Sequence, residues 1–255
     1  MFNAISGPQF FWPAIPRYPS LVFHQHTSDM HKNINFPNET TLVDKARREL
    51  ETRFVTLQLP PGSVWTEGSL SELLDIGRTP VREAVASMAL DGLVTVIRRA
   101  GIVVTEISVE DQMSVLDARR VLEKLVSIRA SVRCTDDERR QLLEMADGIQ
   151  HAGETQQVEA YLQFHFQIKR FVAQCARNKF AARALRPLHT LSQRFYFAHH
   201  RAFNNLPVVG PAHAALTRAI VARDEAQVAL QCDHVSDIAD QFTRDLLGNR
   251  ESAKS

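Results

Sequence analysis

The sequence predicts a mainly α-helical protein with an N-terminal winged helix-turn-helix followed by an all-helical antiparallel bundle. Two observations carry this prediction. β-branched runs typical of strands occur before Ser108, among helical segments. After Ser108, apolar residues recur at helical spacing to about Leu247, divided by capping residues. The length of 255 residues suits two modest domains better than one large domain.

The clearest local pattern is a short helix with its own start and stop signals. Thr79 is expected to cap its start, with Pro80 at the first helical position and Gly92 just past its end. Apolar residues at helical spacing would face a core: Val81, Ala84, Val85 and Met88. Arg78 and Arg82 then project at the N-terminal end, where they suit phosphates and guanine edges; the alternative is a solvated basic face.

The segments on either side complete a DNA-binding unit. A shorter helix over residues 69–76 precedes a tight turn, which is helix-turn-helix spacing. The β-branched runs 93–97 and 102–105 predict a hairpin, or wing, with Arg98 and Arg99 at its tip. These two arginines could touch phosphate or the minor groove, although a basic hairpin tip is also commonly just exposed. A first helix over residues 41–54 begins the unit.

This unit resembles the GntR family of bacterial transcription regulators. The matching residues are Leu59–Gly62, Glu67, Arg78–Ala84 and Asp91–Val94. The resemblance implies double-stranded operator DNA as the partner, and the candidate DNA-binding residues are Arg78, Thr79, Arg82, Arg98 and Arg99. It also implies a homodimer, because related half-sites need two symmetry-related recognition helices. Members of the family are more often repressors than activators.

The second domain resembles the FCD ligand-binding domain of the FadR-like subfamily, with residues 119–123 similar to its opening signature. That resemblance implies a divalent metal held by one Asp and three histidines, with a small organic acid bound above it. The matching histidines are His165, His213 and His234. Tyr161 stands where the Asp is expected, and a phenol is a poor metal ligand. Three imidazoles with an open position still suit zinc or nickel.

Several readings of the second domain stay open at this point. Arg119 is expected to clamp the carboxylate of the acid. The alternative is that Arg119 forms a surface salt bridge with Glu123, four residues further along the same helix. Tyr161 belongs to the same candidate effector site. The histidines could instead be polar residues of a pocket without metal. His189 fits no ligand pattern and is expected to be a surface or incidental residue.

Two other functions compete with an acid-responsive regulator. One is a regulator that responds to the metal itself, without an organic effector. The other is a three-histidine metalloenzyme, but the sequence contains no His-Glu-x-x-His motif, nucleophile elbow or phosphate loop. We therefore expect no enzymatic activity.

Composition bounds these hypotheses. The net charge is +1, so DNA affinity must come from local placement of arginine and lysine. Three cysteines, Cys134, Cys175 and Cys232, are an odd number without short paired spacing, which predicts reduced core thiols in a cytoplasmic protein. No apolar segment approaches the roughly 20 residues of a membrane span.

These observations divide the chain into four predicted parts. Residues 1–40 are a leader, disordered or a misplaced start, and residues 41–108 are the DNA-binding domain. Residues 109–248 are the effector and metal domain, followed by a tail over residues 249–255.

Overall fold

The structure is a computed structural model that describes residues 41–199 and 205–252, with side chains through residue 248. The predicted leader and the last three residues lie outside the described residues. In chain order the described elements are α1 (Leu42–Val55), β1 (Val64–Trp65), α2 (Glu67–Leu74), α3 (Arg78–Leu90), β2 (Val94–Ile97), β3 (Gly101–Val104), α4 (Val109–Arg133), α5 (Asp136–Glu154), α6 (Val158–Cys175), α7 (Lys179–Ala198), α8 (Leu206–Ala222) and α9 (Glu225–Ser252). None of the described helices is long and apolar enough to span a bilayer.

The first three helices and three short strands share one apolar core. The strands form an antiparallel sheet in the order β1-β3-β2, with Val96 opposite Ile102. The four apolar residues predicted for the inner face of α3 are all buried. Other fully buried members of this core come from each part of the domain and include Leu50, Leu59, Leu70 and Leu93. The predicted winged helix-turn-helix is confirmed.

The start of α3 differs from the prediction. Gly77 is the N-cap, without a side-chain hydrogen bond, so the helix begins at Arg78. The expectation that Thr79 caps the helix is therefore wrong, and Pro80 is the third helical residue. The first-turn N–H groups of a helix have no intrahelical partner, so proline is tolerated at each of these positions.

The end of α3 is as predicted. Gly92 has a φ of 75°, in the left-handed region. Its N–H donates to the carbonyl of Ala89 at 3.2 Å, and the N–H of Leu93 donates to the carbonyl of Met88 at 3.0 Å. This pair of bonds is a Schellman motif, which satisfies the last carbonyls of the helix and turns the chain into β2.

Six helices build the rest of the described chain. Side-chain caps open the first two of them. The Ser108 hydroxyl accepts from the N–H of Asp111 at the start of α4, and Thr135 forms a capping box with Glu138 at the start of α5. Pro207, Gly210 and Pro211 do not form a loop, because α8 begins at Leu206 and runs through all three. Gly210 lies against Gly153 of α5, where an added Cβ on either would come within 2.8 Å of the other's Cα. The glycine thus marks a close helix crossing, not a loop.

Candidate functional site

The first candidate site is the exposed face of α3 and the wing. Arg78, Thr79 and Arg82 are exposed in the first turns of α3, whereas Val81, Ala84, Val85 and Met88 form its buried face. Arg98 and Arg99 are exposed at the tip between β2 and β3. Within the described ranges none of these four guanidinium groups forms a salt bridge. The structure therefore places all five predicted DNA-binding residues on accessible surface.

The second candidate site is a cavity among the helices of the second domain. It holds about 610 Å³ of empty volume, including its mouth, and its lining includes Arg119, Tyr161, His165, Tyr196, His213 and Phe242. Five helices contribute these six side chains, namely α4, α6, α7, α8 and α9. Of the predicted effector and metal residues, all but His234 line this cavity.

A buried carboxylate organises the deep end of the cavity. Glu123 Oε1 accepts from Arg119 Nε at 2.9 Å and bonds His189 Nε2 at 2.9 Å, while Oε2 accepts from Lys169 Nζ at 2.5 Å. Burial alone would raise the pKa of Glu123. The charges of Arg119 and Lys169, with the His189 contact, outweigh burial and hold that pKa well below its ordinary value.

Arg119 keeps an unused donor. Its Nη2 contacts Glu123 Oε1 at 2.8 Å, but its Nη1 is buried without a partner in hydrogen-bond geometry. Burial alone would lower the pKa of Arg119, but Glu123 and Tyr196 raise it, so the group stays charged. The salt bridge with Glu123 that was the alternative for Arg119 does form. It is buried, and Tyr196 is a second side-chain hydrogen-bond partner of this guanidinium, which lines the cavity.

Two of the three predicted histidines meet in the cavity. The ring centroids of His165 and His213 lie 4.6 Å apart, and Tyr161 stacks on His165 with centroids 5.9 Å apart. Burial is the largest cause that lowers the pKa of both histidines well below the ordinary value. Both imidazoles are therefore neutral at neutral pH, and His165 Nδ1 is buried without a hydrogen-bond partner.

The third predicted histidine does not join them. His234 is exposed on α9, because the neighbouring residues Val235 and Phe242 turn the apolar side of that helix inward. The expected three-histidine set is thus not assembled among the described residues. His189 corrects the sequence prediction in the opposite direction. It is only 7% exposed and binds Glu123, so it is neither a surface nor an incidental residue.

Sequence reasoning missed Lys169, His189 and Tyr196. For α7 a signal was present, because His189 and Tyr196 share helical spacing with the buried Leu185. A histidine in register with a core leucine is expected to face inward. For Lys169 no comparable local signal exists, since its partner lies 46 residues away.

Comparison with known proteins decides the family. Residues 42–104 match the family described as bacterial regulatory proteins, gntR family, and residues 114–236 match the FCD domain. The chain belongs to the GntR family and carries an FCD domain. Its family and fold are those of DNA-binding transcriptional regulators and not of enzymes, so the expectation of no enzymatic activity agrees with them.

Relatives of this GntR regulator agree with the assignment. The fatty acid metabolism regulator protein of Erwinia tasmaniensis is 28% identical over 167 residues, which cover 57% of this chain and 68% of the relative. An HTH-type regulator of Streptomyces ambofaciens is 35% identical over 75 residues, or 29% of this chain and 30% of the relative. The solved structure of E. coli McbR/YncC has a TM-score of 0.71 at 17% identity, covering 81% of this chain and 99% of that one. That likeness shows a shared fold.

FCD domains often bind a metal, but the cavity of this regulator offers an incomplete donor set. His165 and His213 supply two imidazoles. Among the described residues, the three-donor group with ligand atoms within 4.8 Å of one another is Cys134, Glu138 and Cys175, outside the cavity. Burial raises the pKa of Tyr161 well above its ordinary value, so its phenol stays protonated. The donors present do not fit a three-ligand zinc site.

The buried histidines predict loss of stability in mild acid. His165, His189 and His213 all have a lowered pKa in the folded chain. Just below their ordinary pKa of about 6.5 the unfolded chain binds more protons than the folded chain, so stability falls as pH falls. We expect His213→Asn to reduce this pH dependence by about one proton, or about 1.4 kcal/mol per pH unit. Denaturant unfolding at several pH values measures it.

The matched control is His234→Asn, which replaces an exposed imidazole of α9. It should leave the slope of stability against pH at its wild-type value. An equal effect of both substitutions would contradict the assignment of the acid sensitivity to the cavity.

Proposed function

We propose that this chain is a homodimeric regulator in which residues 41–108 bind operator DNA and residues 109–248 bind a small organic acid that controls this binding. A repressor that releases DNA with the acid is the form we favour. The observation that carries the proposal is the charged, buried guanidinium of Arg119 in the lining of the cavity, with Nη1 outside hydrogen-bond geometry to any described group.

The charge balance of the cavity favours an anion. At the deep end Arg119 and Lys169 face one carboxylate, Glu123, while the imidazoles are neutral. Arg120 at the mouth is paired with Asp237 at 2.6 Å and Asp240 at 2.8 Å. The excess positive charge therefore lies at the buried end, where a carboxylate would gain more than in water.

A carboxylic acid also matches the arrangement of the remaining groups. One carboxylate oxygen can accept from Arg119 Nη1, and the free Nδ1 of His165 can act as a second polar partner. Apolar parts of the acid would contact Leu116, Leu162 and Phe242, which line the same space. The chemistry thus indicates a small acid with an apolar portion.

The DNA contacts we propose follow from exposure and position. Arg78, Thr79 and Arg82 would enter the major groove from the start of α3. Arg98 and Arg99 would reach phosphate or the minor groove from the wing. Because none of these arginines is engaged by a carboxylate within the described ranges, each is available to DNA.

Homodimer formation is supported by an apolar stripe on α4. Val121 is 69% exposed, Leu125 39% and Val132 57%, and their spacing places them on one face. This face points away from the cavity residues Arg119 and Glu123 on the same helix. A second copy of the chain would cover it and set the distance between two recognition helices.

Zinc or nickel in the cavity is a finer proposal, supported by the pairing of His165 with His213. A carboxylate of the bound acid would have to be the third ligand, because Tyr161 stays protonated. The acid-binding proposal does not depend on a metal, since Arg119 already supplies the positive charge.

Arg82→Ala and Arg78→Ala should each weaken operator binding by about 10- to 100-fold, because a lost base contact costs about 1–3 kcal/mol. Folding should be unchanged because both side chains are exposed. Fluorescence anisotropy with the DNA upstream of the gene, against a scrambled duplex, measures affinity and selectivity. Arg140→Ala, at an exposed arginine of α5, is the control. Wild-type operator affinity in both variants would contradict the proposed interface.

Acid binding is tested with a panel of acetate, lactate, octanoate and citrate, each against its uncharged amide. We expect at least one acid, and not its amide, to raise the melting temperature and change DNA affinity. Arg119→Lys keeps the charge but loses the forked donor geometry, so affinity for that acid should fall about 10-fold. Arg129→Lys, exposed on the same helix, is the control. Equal effects of acid and amide would contradict the carboxylate assignment.

Leu125→Glu should dissociate the dimer, because it places a charge in the apolar stripe of α4 without touching the cavity. Light scattering after size exclusion gives the mass, and anisotropy gives the accompanying loss of operator affinity. Leu230→Glu, at an exposed leucine of α9, should behave as wild type. A dimer that persists in Leu125→Glu would show that another surface joins the two chains.

A further inference from the structure

Three helix ends meet at a cluster of metal-ligating side chains that the proposed regulator function does not use. Cys134 is the C-cap of α4, Cys175 is the last residue of α6, and Glu138 is the third residue of α5. Their ligand atoms all lie within 4.8 Å of one another. None of the three lines the effector cavity. The sequence prediction of three separate core thiols missed this pairing, because 41 residues of chain separate the two cysteines.

We propose that Cys134, Glu138 and Cys175 form a second ligand site, which takes one thiophilic divalent cation of the zinc class. Two thiolates and a carboxylate supply three of the four ligands of tetrahedral zinc, and water can supply the fourth. With zinc–sulfur bonds of about 2.3 Å, two sulfurs on one ion lie about 3.8 Å apart. Small side-chain rotations bring the present cluster to that geometry.

The surrounding contacts hold the three ligands in place. Glu138 Oε2 accepts from the N–H of Thr135 at 2.9 Å, and Oε1 accepts from Arg177 Nη2 at 2.6 Å. Each carboxylate oxygen has two lone pairs, so coordination capacity remains on both. Arg139 Nη2 donates to the carbonyl of Cys134 at 3.1 Å, which fixes the end of α4.

The local charges suit a dication. Two thiolates and one carboxylate carry three negative charges, of which a divalent ion compensates two. Arg177, which donates to Glu138 Oε1, supplies one positive charge beside the cluster. That guanidinium balances the one negative charge that remains, so the occupied cluster would be close to neutral.

The competing reading is a disulfide between the same two cysteines. Glu138 argues for the cation, because a disulfide has no use for a carboxylate beside both sulfurs. Burial argues the same way, since Cys134 is 5% exposed and Cys175 is fully buried, which restricts the approach of an oxidant. A bound ion would join the ends of α4 and α6, the helices that carry Arg119 and His165, and would stabilise the folded domain.

The test uses the full chain, purified with reductant and stripped with a chelator. Zinc calorimetry should give one ion per chain for this site, with a higher melting temperature, and cadmium should give thiolate-to-metal absorption. Cys134→Ser/Cys175→Ser should lose both signals. Glu138→Gln should keep the absorption and weaken affinity by about 10- to 100-fold. Cys232→Ser, at the buried cysteine outside the cluster, should behave as wild type.

His165→Ala/His213→Ala separates this site from the effector cavity, and it should retain the zinc and the cadmium absorption. Loss of both signals in that variant would overturn the proposal, as would undiminished zinc binding by the double serine variant. The disulfide would replace the cation site if two results came together: the reduced wild-type chain binds no zinc, and on oxidation its mass falls by two hydrogens. If the double serine variant does not fold, unchanged zinc affinity in Glu138→Gln overturns the proposal.

Discussion

The carboxylate of Glu123 is the group on which the second domain depends. It lies where α4, α6 and α7 meet, and each helix sends one donor to it: Arg119, Lys169 and His189. An unpaired buried carboxylate would cost several kcal/mol, so these helices pack stably only with their donors in place. The same group sets the chemistry of the cavity, because one carboxylate cannot neutralise both cations.

Features that depend on residues close together in the chain could be predicted from the sequence, whereas features that depend on contacts between distant residues could not. The winged domain rests on caps, turns and spacing within short segments, and its prediction failed at two boundaries. These are the start of α3 and the bounds of α2, which runs from Glu67 to Leu74 and not over residues 69–76. The cavity rests on contacts such as the one between Glu123 and His189, 66 residues apart. The family resemblance selected Arg119, His165 and His213, and the structure places these three side chains in one cavity. The rotation of α9 that exposes His234 is set by packing along the whole helix, which no short pattern encodes.

One helix contacts both the cavity and the DNA-binding domain. On one side of α7, His189 binds Glu123 and Tyr196 lines the cavity. On the other side, Leu191 packs on the winged-domain core, and Arg194 donates to the carbonyl of Glu106 at 2.7 Å. Arg194 is 2% exposed, and burial lowers its pKa to about 10, with only partial compensation from Glu106. A buried guanidinium tied to the chain between the domains makes α7 a rigid connection.

This connection gives the proposed acid a physical route to the DNA-binding residues. An acid shifts an equilibrium only if it binds two arrangements of the protein with different affinity. A carboxylate bound to Arg119 would compete with Glu123 for the same guanidinium. The ion pair between Arg119 and Glu123 would then weaken, and the contacts of Glu123 with Lys169 and His189 would strengthen. Because His189 lies on α7, binding of the proposed acid would change the strength of a contact made by that helix. Any resulting shift of α7 is carried by Arg194 and Leu191 to the base of the wing and to the core beneath α3.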